Sequence, residues 1–100
     1  MALRILVVDD SETTRRILRV LLGSRDWTVC GEAENGWSGV AKFKKLKPDV
    51  VILDLAMPDL DGIETAKLMS RSDPRVPIIL FTIRGIEGMQ DPRKLQESGQ

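Results

Sequence analysis

Apolar residues recur along this chain in two alternating rhythms. Leu3 to Val8 is a leucine and β-branched run interrupted only by Arg4, which reads as a strand buried in a sheet. It stops abruptly at Asp9-Asp10, and Ser11 follows with a hydroxyl suited to cap a helix. Thr14, Ile17, Leu18 and Leu21 then fall at the i, i+3, i+4, i+7 spacing of one helical face, and Gly23 is placed to close that helix. Trp27 to Ala33 predicts a second strand, with Val29, Gly31 and Ala33 on one side of its alternation. Asn35-Gly36 turns the chain out of it. Trp37, Val40, Ala41 and Lys44 mark the next helical face, which Pro48 stops.

Val50 to Leu55 is the most apolar stretch of the chain, broken only by Asp54, and predicts a strand covered on both faces. Ala56 to Gly62 is a loop with proline and glycine, Ile63 to Ser70 a third helix, and Pro77 to Thr82 a fourth strand. Asp91-Pro92 has the character of a cap and first-turn proline opening a last helix that Gly99 would close. Strands and helices alternating at this spacing imply right-handed βαβ units and an open parallel sheet, an α/β fold. One hundred residues suffice for a single domain and are too few for two.

In open parallel sheets, ligands bind beyond the carboxyl ends of the strands. Three polar features fall there: Asp9-Asp10 after the first strand, Asp54 near the end of the third, and Thr82 at the end of the fourth. Taken singly, an acid after a strand is ordinarily a helix cap and a threonine at a strand end a turn residue. Asp54 resists that explanation, because an unpaired charge is costly to bury in an apolar strand. Three carboxylates meeting in one crevice would repel one another and raise one another's pKa unless a cation joined them. An oxygen-only ligand set with open positions suits magnesium, and a carboxylate beside such an ion can attack phosphorus.

Composition narrows the alternatives. The apolar share of 42% and charged share of 30% can build one core and do not describe a disordered chain. Formal net charge is zero, which advertises neither nucleic acid nor an anionic membrane as a partner. Two basic groups, Arg15, Arg16 and Arg19, and Lys42, Lys44, Lys45 and Lys47, lie at helical spacing without aromatic neighbours and read as solvated faces. Cys30 is the only cysteine, so no disulfide forms within the chain and a reduced, cytoplasmic setting is the simplest expectation. The amino terminus lacks the apolar core of a signal peptide, and no apolar run approaches a membrane span. Histidine is absent, which removes Ser-His-Asp and Cys-His catalysis.

The motifs V-V-D-D-S (Val7 to Ser11), V-I-L-D-L-A-M-P-D-L-D-G (Val51 to Gly62) and I-I-L-F-T (Ile78 to Thr82) resemble the receiver domain of two-component response regulators, chemotaxis receivers included. The resemblance runs from residue 3 to about 85 and implies a flavodoxin-like doubly wound parallel sheet of order 2-1-3-4-5. It implies Asp54 as phosphoacceptor, taking phosphate from a sensor histidine kinase, a phosphotransfer protein or a small phosphodonor. It further implies Mg2+ held by Asp10 and Asp54, by the main-chain carbonyl of Ala56, and by Asp9 mainly through water. Thr82 would hydrogen-bond the phosphoryl group, while Met57, Pro58 and Gly62 shape the loop. The implied role is a cytoplasmic signalling switch rather than an enzyme. An aspartyl phosphohydrolase is the weaker reading, since Ala56 stands where a second acid would protonate the leaving group.

Receivers continue through a fifth strand bearing a lysine. This sequence stops at Gln100, and its last lysine, Lys94, falls in the predicted last helix. Residues 1–100 are therefore expected to be a C-terminally truncated receiver without that strand and its helix. Such a chain is either a fragment of a longer regulator or a form that self-associates through the exposed fourth-strand edge as a homodimer. An alternative output is a receiver-shaped interaction module that does not switch.

Overall fold

The computed structural model describes residues 2–23 and 26–82. They form β1 (Leu3–Val8), α1 (Glu12–Leu22), β2 (Trp27–Ala33), α2 (Gly36–Leu46), β3 (Val50–Asp54), α3 (Gly62–Ser72) and β4 (Ile78–Phe81). Every strand pair is parallel, and the sheet order is β2-β1-β3-β4. That is the flavodoxin-like order as far as the fourth strand. The helix expected from Asp91 to Gly99, with Lys94 in it, lies outside the described residues.

Each helix begins on a side-chain cap just past the carboxyl end of a strand. Ser11 Oγ accepts the Thr14 N–H at 3.2 Å, Asn35 Oδ1 accepts the Ser38 N–H at 2.8 Å, and Asp61 Oδ1 accepts the Glu64 N–H at 2.8 Å. Those bonds satisfy orphan donors of the first turn and hold the strand-to-helix turns on one edge of the sheet. Gly23 caps α1, but with extended backbone (φ −70°), and α2 ends instead on a left-handed Lys47 (φ 50°) followed by Pro48.

The apolar core has two sides. Leu6, Val8, Ala33, Val51 and Leu53 meet Phe43 of α2 and Met69 of α3 on one face. Ile5, Val7 and Val50 meet Leu18 and Leu22 of α1 on the other. No described helix is long and apolar enough to cross a membrane.

Three local expectations are corrected. The inward ladder of α1 is Thr14, Leu18 and Leu22, while Ile17 and Leu21 are exposed, because the helix rests on β1 and β2 rather than centrally on the sheet. In α2 the buried positions are Gly36, Gly39 and Phe43, and Trp37 is 62% exposed. This helix seats through its glycines as well as Phe43, with Val40 and Leu46 packed against the core: a Cβ on Gly39 would stand 3.0 Å from a Val8 methyl, while the expected Trp37, Ala41 and Lys44 are exposed. In β2 the register steps from Ile5↔Val29 to Leu6↔Gly31, leaving Cys30 as an extra residue. Val29 therefore faces the α1 side, and Gly31 and Ala33 face the α2 side. The remaining differences are at element ends, where α3 runs longer and β4 shorter than their apolar patterns suggest.

Met69 is fully buried between α3 and the sheet, whereas Val20 of α1 is 74% exposed. Met69→Ala is expected to cost roughly 2–4 kcal/mol in urea denaturation, and Val20→Ala less than about 0.5 kcal/mol.

Candidate functional site

The site follows from the pairing of β1 with β3. Their register places Val8 beside Leu53, so the next residue of each strand, Asp9 and Asp54, emerges at one point of the carboxyl edge. One carboxylate oxygen from each of Asp9, Asp10 and Asp54 lies within 4.8 Å of the other two. Asp9 is 3% exposed and Asp54 5%, while Asp10 is half-buried.

Local hydrogen bonds hold the acids in place. The Asp9 N–H donates to the Ala33 carbonyl at 3.0 Å, and Asp9 Oδ1 accepts the Ser11 N–H at 2.8 Å. Asp54 Oδ1 accepts the Ala56 N–H at 3.0 Å. The loop beyond is fastened by the Leu55 N–H to the Phe81 carbonyl at 2.8 Å and the Gly62 N–H to the Leu55 carbonyl at 3.2 Å. Met57 is buried beneath this loop and Pro58 is exposed on it. Gly62 is required for space: a Cβ there would lie 2.4 Å from the Asp54 carbonyl oxygen and 2.7 Å from Leu55 Cα. The left-handed position of the loop is Asp59, at φ 65°. Thr82 is half-buried and directly follows Phe81, the register partner of Asp54.

Burial holds the Asp9 carboxyl above its ordinary range, and the charges of Asp54 and Asp10 push the same way, against the Ser11 N–H bond. Like charges about 5 Å apart repel by roughly 3 kcal/mol at an effective dielectric of about 20. The donors are hard oxygens with no nitrogen or sulfur among them, which fits a small divalent cation such as Mg2+.

One group of residues escaped the sequence reading. Arg15, Arg19 and Lys42 are not simply solvated. Arg15 Nη1 donates to the Asp9 carbonyl at 2.5 Å, and its Nε lies 3.4 Å from Glu32 Oε1. Arg19 grips the same carboxylate in a fork, at 2.7 and 3.0 Å, and Lys42 Nζ donates to the Glu32 carbonyl. The signal for this cluster was Glu32 itself, an acid interrupting the carboxyl end of β2 as Asp54 interrupts β3.

The sequence profile of the response regulator receiver domain matches residues 5–96. The chain belongs to the response regulator receiver domain family. It is 38% identical over 89 residues to the chemotaxis protein CheY of Thermotoga maritima, covering 89% of this chain and 74% of that one. The crystal structure of the response regulator domain of Thermotoga maritima CheB superposes with a TM-score of 0.76 at 38% identity, over 80% of this chain. The CheX-CheY-BeF3-Mg2+ complex from Borrelia burgdorferi gives 0.75 at 30% identity, over 79% of this chain. The chain spans 60% of the length of each of these two crystallised chains.

In this receiver, Asp9→Asn keeps the Oδ1 acceptor for Ser11 and deletes one of the crowded charges. In Mg2+-free buffer it is expected to gain about 1 kcal/mol and melt several degrees higher. The sign of the pH dependence follows from the raised pKa. The folded wild type binds this proton more tightly than the unfolded chain, whose ordinary value is 3.8. Metal-free wild type therefore loses stability as pH rises from that value through the raised one, and the Asn variant lacks this slope. Thermal melts from about pH 4 to 8 read both effects.

Proposed function

We propose that this receiver accepts a phosphoryl group on Asp54 from a phosphohistidine of a sensor histidine kinase or phosphotransfer protein, with Mg2+ in the acidic pocket. The observation that carries this reading is the gathering of the Asp9, Asp10 and Asp54 carboxylates within 4.8 Å at the carboxyl edge of the sheet. Asp54 Oδ1 is turned to the Ala56 N–H, so Oδ2 is the attacking oxygen. The new O–P bond forms as the P–N bond breaks; the leaving imidazole nitrogen keeps the electron pair, and a proton on the other ring nitrogen makes the leaving group neutral imidazole. Asp10, Asp54 and the Ala56 carbonyl are the direct ligands in this reading, and Asp9 acts mainly through water. Bound Mg2+ supplies charge neutralisation to the phosphoryl oxygens. Thr82, next to the strand position paired with Asp54, donates its hydroxyl to a phosphoryl oxygen and draws its segment inward. Met57 and Gly62 keep the intervening loop packed down, and Pro58 restricts its exposed turn. The Borrelia burgdorferi complex, which contains BeF3 and Mg2+, supports the same chemistry here by relation.

Incubation with a small acyl phosphate and MgCl2 is expected to yield a phosphoprotein by mass spectrometry, lost on chelation of Mg2+ and in Asp54→Asn. Beryllofluoride with Mg2+ is expected to shift the amide signals of both Asp54 and Thr82. A response at Asp54 with none at Thr82 would favour the interaction module that does not switch. Steady turnover of a phosphomonoester, abolished by Asp54→Asn, would instead restore the enzyme reading.

Self-association is the second element of the proposal. Among the described residues β4 has no partner beyond β3, and Ile79 and Leu80 on it are 54% and 38% exposed. An apolar edge of this kind is a template for strand pairing with a second copy. Light scattering is expected to show a dimer at high protein concentration; a monodisperse monomer across the range counts against it.

A further inference from the structure

The cluster built on Glu32 is adjacent to the acidic pocket and has no part in the chemistry just described. Its geometry ties three elements to one ligand-bearing peptide. Arg19 of α1 holds the Glu32 carboxylate in a two-pronged fork, and Lys42 of α2 holds the Glu32 carbonyl. Glu32 in turn faces Arg15 Nε at 3.4 Å, and the Arg15 side chain is only 14% exposed. The far end of that guanidinium reaches the carbonyl oxygen of Asp9 at 2.5 Å.

That oxygen belongs to the peptide joining Asp9 to Asp10. Because the peptide is planar, fixing its oxygen fixes the plane from which the Asp10 side chain departs. The other side of Asp9 is already held, its N–H by the Ala33 carbonyl and its Oδ1 by the Ser11 N–H. Arg15 adds a constraint on the main chain between the two acids. A planar guanidinium can make this contact and face Glu32 at once, whereas an ammonium is a single compact donor group.

We propose that Arg15, braced by Glu32, is a positioning residue that orients the Asp9-Asp10 peptide and thereby sets the Mg2+ affinity of the pocket. The inference rests on the metal-site reading given under Proposed function. Removing partners that orient metal ligands typically weakens affinity by about 10- to 100-fold. Bare electrostatics has the opposite sign, because deleting a cation beside the pocket should tighten the binding of a divalent cation. The direction of the change therefore separates positioning from charge.

The experiment is a titration of the full chain with MgCl2, followed by the amide signals of Asp10 and Asp54, for the wild type, Arg15→Met and Arg15→Lys. Arg15→Met keeps most of the aliphatic stem and removes every donor. The expected result is a Kd for Mg2+ about tenfold weaker in Arg15→Met, partly recovered in Arg15→Lys, with metal-free melting temperatures close to wild type. An unchanged or tighter Kd in Arg15→Met overturns the proposal. So does a loss that Arg15→Lys fails to recover and that tracks a fall in melting temperature, since that assigns Arg15 a purely structural role. If the wild type itself does not bind Mg2+, the metal-site reading fails first and this inference with it.

Discussion

Three negative charges share a few ångströms at the top of this fold, and the apolar pairing of β1 with β3 is what forces them together. Val7 and Val8 lie against Ile52 and Leu53 in a register that cannot slip by one residue without turning core side chains outward. Burial of those valines and leucines thus drives a juxtaposition that electrostatics alone opposes. The cost has a trace in the Asp9 carboxyl, which burial first and the neighbouring charges second hold protonated to higher pH than an ordinary aspartate. A pocket in this condition gains more from a divalent cation than a relaxed one would, because binding also relieves the repulsion among its ligands.

The surroundings of the acids are correspondingly rigid. Backbone N–H groups of Ser11 and Ala56 each point at one carboxylate oxygen, and α3 begins so close to Asp54 that only a glycine fits at its first position. These are short-range contacts made by residues two to eight positions away in sequence, so the site is largely preformed by its own local turns. Long-range structure supplies the coming together of the turns, and local chemistry supplies their shape.

Much of this was legible from the chain alone, for physical reasons that can be stated. Strands β1 and β3 are apolar on both faces, so their positions and the acids ending them stood out without any structural knowledge. Ser11 was recognisable as a cap because its side chain acts within three residues. What stayed hidden depends on packing that no local pattern encodes. The inner face of α2 is made in part by Gly36 and Gly39, which contribute no apolar side chain to count. The exposed Ile17 and Leu21 obey a helical period that takes no account of where α1 lies on the sheet. Arg15 looked like one member of a solvated basic stripe, since the carbonyl it grips is defined only once β1 has met α1. The family motifs carried Asp54 and its neighbours further than spacing could, while the bracing by Glu32 lay outside every motif.

The extra residue at Cys30 has a wider consequence for how this segment can vary. Side chains of a strand alternate strictly between two faces, so inserting one residue reverses the parity of everything downstream until the strand ends. In β2 that reversal sets Glu32 level with Val7, on the side of the sheet that α1 covers, and sends Gly31 and Ala33 to the other. Were the ladder regular through Cys30, with no residue left over, Glu32 would stand opposite Val8, with its charge in the densest part of the interior. Losing Cys30 alone would leave the partners of Leu6, Val7 and Val8 as they are, because that residue is the one outside the ladder. A further single insertion would need a second bulge to keep Glu32 level with Val7.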